Sequence, residues 1–261
     1  MPRLSVIVIA LNQEENIGPC LESARFADEI VLVDTGSTDR TVELARSFTD
    51  RIFIADWRGF GATENFALDR ARGTWVFSLD TDERVPEALR DEILEVVRNN
   101  GPLAGYRVPR KNYFCGRWIR RAGWYPDFTL RLFRRDKGRF WERAVHEEVL
   151  VDGPVGKLKT PLEHYSYKSV SDYVTRMDRY ARLAAQELVK SGRRPRAGEL
   201  LWRPVATFVN RYFIQLGLLE GLTGYTIAAL SGMYTFLKYY YLRQLLNEET
   251  HAHRSQRPNS P

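Results

Sequence analysis

The sequence has few of the residues that hold a secreted protein together. Its 261 residues include only two cysteines, Cys20 and Cys115. Two cysteines are too few for a disulfide framework or a four-ligand zinc site, so we expect a reducing compartment. The segment from Met1 to Ala10 lacks the basic start, the long apolar core and the cleavage site of a signal peptide. These absences predict a cytoplasmic protein.

Two further features are missing. The uncharged stretch from Gly221 to Leu237 has 17 residues, three of them glycine, whereas a membrane-spanning helix needs about 20 mostly apolar residues. The sequence also lacks the glycine-rich loop of P-loop nucleotidyl and phosphoryl enzymes. After Gly59-x-Gly61, Glu64 stands where a dinucleotide fingerprint needs its last glycine. Any phosphate group must therefore be held by a metal ion and by arginines.

The composition is that of a globular protein with a sizeable core, with 44% hydrophobic and 28% charged residues. The net charge of +6 is unevenly divided. Residues 1–100 carry 19 acidic and 11 basic side chains, and residues 101–261 carry 14 acidic and 28 basic ones. An acidic first part suits metal and sugar-hydroxyl binding, and a basic second part suits phosphates or an anionic surface.

The first hundred residues alternate between apolar strand-like runs and helical segments. The runs are Leu4–Ala10, Glu29–Val33, Arg51–Ala55 and Thr74–Leu79, and this rhythm predicts a doubly wound α/β sheet. Short segments with turn signals follow, and helical spacing begins at Val170. We therefore predict a catalytic domain over residues 1–168, divided into a nucleotide-sugar half (1–100) and an acceptor half (101–168). A helical appendage (169–249) and a disordered tail (250–261) complete the prediction.

Polar clusters follow three of the strands, where ligands bind in open parallel sheets. They are Asn12–Glu15, Asp34–Asp39 and Asp80–Glu83. Asn12 with Glu15 resembles a helix capping box, and Glu83 can be read as a helix-capping residue. Asp34 and Asp80 have no comparable structural explanation. Asp80 and Asp82 are spaced so that both reach one hard cation, which takes oxygen ligands.

These motifs carry a family resemblance. Ser5-Val-Ile-Val-Ile-Ala-Leu-Asn-Gln-Glu-Glu-Asn16, Val33-Asp-Thr-Gly-Ser-Thr-Asp-Arg-Thr41 and Leu79-Asp-Thr-Asp-Glu83 resemble family 2 glycosyltransferases of the GT-A fold. The resemblance implies inverting transfer from a nucleotide-diphosphate sugar with Mg²⁺ or Mn²⁺. It implies that Glu14 and Asp34 lie near the base and ribose of the nucleotide. It also implies that Asp80 lies near the ribose and that Asp82 binds the metal at the diphosphate.

Weaker matches indicate one branch of that family. Pro126–Arg134, Val145-His-Glu147 and His164-Tyr-Ser-Tyr-Lys168 resemble lipopolysaccharide-core β-1,4-glucosyltransferases. By position, Glu147 is the general base that takes the proton of the acceptor hydroxyl, with Glu148 and Asp127 as competitors. By the same resemblance His146 is a metal ligand, and a structural histidine is the alternative.

Three further side chains are assigned from the basic second part. Arg131 and Arg134 lie on opposite faces of one strand, and we expect Arg131 to face the diphosphate and stabilise the charge of the leaving group. Trp124 lies among arginines and is expected to stack on the acceptor sugar. Such interleaving also occurs in single-strand nucleic-acid binders, but the acidic strand ends argue against nucleic acid as a partner. We expect His164, flanked by tyrosines, to be structural.

Together these observations predict a metal-dependent hexosyltransferase. The expected donor is a UDP-sugar and the expected acceptor is a lipid-linked saccharide, such as lipopolysaccharide core. The apolar segment Arg211–Leu242 is expected to associate peripherally with the inner face of the membrane, and a homo-oligomer interface is the alternative. The upstream arginines are expected to face anionic headgroups; they are Arg193, Arg194, Arg196 and Arg203. Other readings are a polyprenyl-phosphate glycosyltransferase, a nucleotidyltransferase, and a non-enzymatic membrane-binding module with a degenerate transferase domain.

Overall fold

The computed structural model describes residues 3–141, 148–196 and 198–255, with the backbone alone for residues 249–255. The chain divides into two compact units. The sheet unit consists of Met1–Tyr113 and Tyr125–Ser166, and the helical unit of Phe114–Trp124 and Tyr167–Pro261. Segment Phe114–Trp124 therefore groups with the helices, whereas the sequence assigned everything up to residue 168 to one domain.

The strands and helices of the sheet unit alternate along the chain up to residue 100. The strands are β1 (Leu4–Ala10), β2 (Glu29–Asp34), β3 (Ile52–Ile54), β4 (Trp75–Ser78), β5 (Glu83–Arg84), β6 (Gly105–Phe114), β7 (Arg117–Trp118, in the helical unit), β8 (Asp127–Arg134), β9 (Gly138–Phe140), β10 (Val149–Val151), β11 (Val155–Lys157) and β12 (Leu162–Tyr167). The helices are α1 (Ile17–Ser23), α2 (Thr41–Ala45), α3 (Phe60–Arg70) and α4 (Glu87–Asn99).

The main sheet is mixed, and its strand order is β3-β2-β1-β4-β8-β6-β12-β5. The first four strands are parallel to one another. Strand β8 runs antiparallel to both β4 and β6. At the end of the order, β12 pairs antiparallel with β5, which places His164 opposite Glu83. The predicted mixed α/β sheet is confirmed, and the carboxyl ends of β1, β2 and β4 share one edge.

The central strands are apolar because both of their faces are covered. In β1, Val6 and Val8 pack into one core cluster while Ile7 packs into another on the opposite face. Helices α1 and α4 contribute to the first cluster, and α3 contributes to the second. A parallel sheet buried on both faces is expected to have such continuous apolar strands. The strand ends are therefore where polar side chains can reach a ligand.

The helical unit contains three longer helices. They are α5 (Val170–Lys190), α6 (Glu199–Val209) and α7 (Gly221–Ser255). A π-helical turn (Asn210–Ile214) and a 3₁₀ turn (Gly217–Glu220) connect α6 to α7. Helix α7 continues past residue 250, where the sequence predicts a disordered tail to begin.

Candidate active site

The loops after β1 and β2 are tied together by hydrogen bonds. Ser37 Oγ accepts a hydrogen bond from the backbone N–H of Asn12 at 2.8 Å, and Asn12 Oδ1 accepts one from the N–H of Thr38 at 2.9 Å. Glu14 Oε2 accepts a bond from the N–H of Arg40 at 3.2 Å. Asn12 has a φ of +51°, and α1 begins only at Ile17. The predicted capping box at Asn12 is therefore wrong, because these side chains join two loops instead of opening a helix.

Asp34 shapes the loop that follows it. One of its carboxylate oxygens accepts hydrogen bonds from the N–H groups of Gly36 at 3.0 Å and Ser37 at 2.8 Å. The Ser37 hydroxyl donates to the other oxygen. Asp34 is 1% exposed, and Gly36 has a φ of +101°, which favours glycine. Asp34 thus has a structural function, although the sequence offered no structural explanation for it.

Asp80 lies at the carboxyl end of β4, beside a buried arginine. The Arg131 guanidinium forms an ion pair with Asp80, and it donates to Glu83 Oε1 at 2.6 Å. Glu83 is fully buried, and its second oxygen accepts the backbone N–H of Asp80 at 3.0 Å. Glu83 was read from the sequence as a helix-capping residue. Its position in β5 instead makes it the anchor of Arg131 and of the Asp80 backbone.

Burial and pairing shift the pKa values of these three groups in different directions. Burial raises the pKa of Glu83, because the ionised form loses its hydration. Burial also opposes the ionisation of Asp80, but the nearby Arg131 guanidinium outweighs it and lowers the pKa of that carboxyl. Burial favours the neutral form of Arg131, and the two carboxylates outweigh it and raise the arginine pKa. Arg131 therefore stays charged and holds Asp80 in place.

Asp82 faces a histidine across the same edge. His164 Nε2 lies 3.5 Å from Asp82 Oδ2, and its Nδ1 lies 2.7 Å from Asn112 Oδ1. The Asn112 amide nitrogen donates to the Asp127 carboxylate at 3.3 Å, which fixes the amide orientation. Nδ1 of His164 is therefore the N–H donor to Asn112. The other ring nitrogen, Nε2, faces the Asp82 carboxylate, so the two side chains can bind one cation together.

Asp82 and His164 together suit a divalent cation that is bound with a diphosphate. Across the described ranges 3–141, 148–196 and 198–255, no three His, Cys, Asp or Glu side chains form a metal-binding cluster. A site with one carboxylate and one imidazole is nevertheless sufficient when substrate phosphates and water complete the coordination, as is usual for Mg²⁺. His164 was expected to be structural. The structure brings it to Asp82 through the β5–β12 pairing, which no local pattern reveals.

A cavity of about 430 Å³ opens beside Asp80 in the sheet unit. Its charged lining includes Glu64, Arg107 and Glu148 in addition to Asp80 and Arg131. In the sequence, Glu64 was noted only because it stands where a dinucleotide fingerprint needs its last glycine. Arg107 was not among the predicted site residues. Both arrive through contacts between distant parts of the chain: Asn65 ties α3 to Phe140 of β9, and β6 pairs with β8.

The candidates for the general base have different surroundings. Glu148 lines the cavity and lies 3.2 Å from Arg107. Asp127 accepts hydrogen bonds from Arg110 at 2.5 and 3.0 Å and is not among the residues that line the cavity. Glu147 and His146 lie outside the described residues, so their assignments stay predictions.

Trp124 belongs to the helical unit. It packs edge-on against Phe114, with ring centroids 5.9 Å apart, and lies 6.0 Å from the ring of Tyr167. This aromatic cluster surrounds buried Ile119 and Ile227. Trp124 therefore has a packing function, and its stacking on an acceptor sugar stays a prediction. Arg134, on the other face of β8 from Arg131, donates to the carbonyl oxygen of Gly101 at 2.7 Å.

Comparisons with known proteins agree with this architecture. Residues 5–148 match the family model described as Glycosyl transferase family 2. The chain is 36% identical over 247 residues to the lipopolysaccharide core biosynthesis glycosyltransferase LpsC of Rhizobium meliloti (strain 1021), covering 90% of this chain and 89% of that protein. It is 26% identical over 262 residues to an uncharacterized glycosyltransferase of Rickettsia typhi, covering 94% and 88%.

The fold also has a solved counterpart. The mannosyltransferase PcManGT from Pyrobaculum calidifontis, in complex with GDP-Man and Mn²⁺, superposes with a TM-score of 0.51 at 17% identity. The superposition covers 93% of this chain and 87% of that one. The predicted GT-A fold is confirmed.

Proposed function

The chain belongs to glycosyl transferase family 2 and is a glycosyltransferase, and on that premise we propose that it moves a hexose such as glucose from a UDP-sugar to a lipid-linked saccharide. The relationship to LpsC supports lipopolysaccharide core as the acceptor. The transfer inverts the anomeric carbon and takes place at the inner face of the cell membrane.

One observation carries this proposal: the Asp82 carboxylate and the His164 imidazole face each other at 3.5 Å, beside the Asp80–Arg131 ion pair. The same sheet edge carries the loops after β1 and β2. Such an edge binds nucleotides in open α/β sheets. A carboxylate and an imidazole that can share one cation suit the diphosphate end of a nucleotide sugar.

Each residue at this edge of the sheet has a separate function in the proposed reaction. Mg²⁺ or Mn²⁺, held by Asp82 and His164, would neutralise the charge of the leaving diphosphate. Glu14 contacts the nucleoside and Asp80 contacts its ribose. Asp34, which is 1% exposed, shapes the loop after β2, and its own contact with the nucleoside stays a prediction. Arg131 positions Asp80, and its direct contact with the diphosphate stays a prediction.

Displacement also requires a group that removes the proton of the acceptor hydroxyl. We assign that function to Glu147, which the resemblance favours by position. The inversion follows because this base acts on the face of the sugar opposite the diphosphate.

The test is a donor panel. The purified full chain is incubated with UDP-, GDP- and dTDP-sugars and Mn²⁺, and release of nucleoside diphosphate is measured with and without lipopolysaccharide-core acceptors. We expect release from UDP-glucose or a related hexose donor, and its loss on chelation. Asp82→Asn should lower turnover by at least about 10²-fold, since a catalytic metal contributes several kcal/mol.

The matched control is Asp152→Asn, the same change at a carboxylate whose side chain is 90% exposed. It should leave turnover unchanged. Transfer that proceeds undiminished in Asp82→Asn, or in excess chelator, would contradict the metal assignment. Activity on a polyprenyl phosphate but on no saccharide acceptor would replace the proposed acceptor.

A further inference from the structure

Helix α6 and the π-helical turn that follows it carry apolar side chains on their outer surface. These residues, here called the α6 apolar face, are spaced as one side of a helix. They are Leu201, Trp202, Val205, Val209, Phe213 and Ile214. Leu201 is 73% exposed and Ile214 is 72% exposed. Water strongly disfavours an apolar strip of this length, and large exposed apolar patches mark interaction surfaces.

The opposite side of α6 is polar and lies against α7. The hydroxyls of Thr207 and Thr235 are 3.1 Å apart. Arg203 pairs at 3.1 Å with Glu199, which is 2% exposed, and its guanidinium stacks over the Tyr239 ring at 5.0 Å. In a helix on the surface of a water-soluble protein, the apolar side faces the neighbouring helix and the polar side faces the solvent.

The two helices approach closely where their residues are small. A Cβ added at Gly232 of α7 would lie 3.0 Å from the carbonyl oxygen of Pro204 in α6. Small residues and paired hydroxyls between helices, with leucines and aromatics outside, are typical of helices in lipid. The outward apolar side chains of α6 and its close packing against α7 therefore both indicate contact with lipid.

The geometry favours a helix that lies on the bilayer over one that crosses it. Within the described residues no single helix is long and apolar enough to span a membrane, and only the pair Glu199–Ile214 and Gly217–Glu248, bent by 70°, passes by composition. The first member extends over roughly 24 Å. Exposed leucines continue around the bend at Leu216, Leu219 and Leu222. Interfacial helices of this kind bury one apolar face at the headgroup boundary.

Charge identifies the kind of surface. Arg194 and Arg196 are exposed immediately before α6, whereas Arg193 is engaged with Glu199 at 2.7 Å. Exposed arginines beside an apolar face attract anionic lipid headgroups. The exposed indole of Trp202 lies near the same end, and tryptophan favours the membrane interface.

We propose that the α6 apolar face lies in the plane of an anionic lipid bilayer and forms a monotopic membrane anchor. This deepens the proposed function, on which it rests, by assigning the membrane contact to residues 201–214. The sequence had assigned it to the range 211–242. Within that later range Ile227, Ala228 and Leu242 are buried, and its most exposed apolar residues, Ile214 and Leu222, lie at its start.

The test is flotation of the full chain with vesicles of phosphatidylcholine alone and with phosphatidylglycerol added. One variant combines Leu201→Ser, Val205→Ser and Ile214→Ser. The matched control combines Ile54→Ser, Leu150→Ser and Val155→Ser, which are exposed apolar residues of the sheet unit. We expect the α6 variant to lose binding by at least about 10-fold and the control to bind as the unmodified chain does.

The charge is tested separately. Arg194→Gln with Arg196→Gln should weaken binding to anionic vesicles by about 25-fold and leave the weaker binding to neutral vesicles unchanged. Lipids brominated near the headgroup should quench the emission of the unmodified chain, and Trp202→Phe should remove most of that quenching. This last measurement needs no destabilising substitution.

Three results would overturn the proposal: equal flotation of the α6 variant and the control, no preference for anionic lipid, or quenching that survives Trp202→Phe. A vesicle-independent dimer that the α6 variant dissociates, seen by light scattering, would assign the face to a second copy of the chain. Because binding is measured without substrate, its failure and a failure to release nucleoside diphosphate are distinguishable.

Discussion

The two units treat apolar side chains in opposite ways. In the sheet unit, Leu32 and Phe77 are fully buried and polar groups collect where the strands end. In the helical unit, Leu201 and Leu222 are among the most exposed large apolar residues of the described chain, while Glu199 and Glu220 are buried. The sheet unit buries its apolar side chains as a water-soluble protein does, and it contains the candidate active site. The exposed surface of α6 is apolar and suits the proposed contact with lipid. The surroundings expected for the two units therefore differ.

The largest change in activity is expected at the proposed general base, Glu147. Glu147→Gln should lower the transfer rate by about 10²–10⁴-fold and leave donor binding nearly unchanged, because the amide cannot take the proton. Single-turnover kinetics and a donor-binding titration separate the two quantities.

Glu148→Gln and Asp127→Asn serve as the comparison variants. Both carboxylates are engaged with arginines, and each change should have a smaller effect than Glu147→Gln. A near-normal Glu147→Gln beside an inactive Glu148→Gln would move the base to the residue that lines the cavity.

A matched pair of leucines tests the contrast between the units directly. Leu32→Ala, in β2, should lower the free energy of unfolding by about 2–5 kcal/mol, because it leaves a cavity in the core. Leu201→Ala should change it by less than about 0.5 kcal/mol, because the side chain makes few contacts in the folded chain. Urea unfolding followed by circular dichroism in the absence of lipid measures both. Equal losses would show that the α6 apolar face is covered in solution.

A smaller effect is expected from the histidine beside Asp82. His164→Gln should weaken activation by Mn²⁺ by at least about 10-fold, because it removes a proposed ligand and even the loss of a residue that only orients a ligand costs about 10–100-fold. The readout is the Mn²⁺ concentration for half-maximal turnover. Ser166→Ala removes a 3.0 Å contact to Nδ1 and a 3.4 Å hydrogen bond to the His164 carbonyl oxygen, but it keeps the imidazole and should shift that concentration much less. An unchanged metal requirement in His164→Gln would return this histidine to the structural function that its sequence suggested.

The smallest effect concerns the pH dependence of stability at the far end of β2. Burial disfavours the charge of Glu29, but hydrogen bonds from Ser5 and the Arg72 N–H, with Arg51 nearby, lower its pKa below 4.5. A carboxyl whose pKa is lowered by folding stabilises the fold above the unfolded value and loses that contribution as the pH falls through the folded value.

Glu29→Gln should therefore cost about 1 kcal/mol at pH 7 and less at pH 3, where the unfolded carboxyl is protonated. Unfolding free energies at the two pH values measure the difference. Glu22→Gln, at a mostly exposed carboxylate paired with Arg25, should behave like the unmodified chain at both. A cost that persists at low pH would mean that Glu29 acts through packing and not through charge.

The sequence predicted what local patterns determine. Buried parallel strands are apolar throughout, so β1 and β2 were visible, and polar residues directly after them marked the binding edge. Glu83 and His164 were misread because their partners are distant along the chain. Glu83 meets Arg131 through the fold, and His164 reaches Asp82 through the antiparallel pairing of β5 and β12. Helical spacing was visible from Val170 and composition marked Arg211–Leu242 as apolar, but neither showed which side of α6 points outward.

The β5–β12 pairing has a consequence for shortening the protein. Strand β12 lies between β6 and β5 in the sheet, and it carries His164. A fragment that stops before Leu162 would keep every acidic motif of the first hundred residues. It would nevertheless leave β5 without its neighbour and remove the imidazole that faces Asp82. A minimal catalytic fragment therefore has to extend at least through Ser166, even though nothing in the acidic motifs marks that limit.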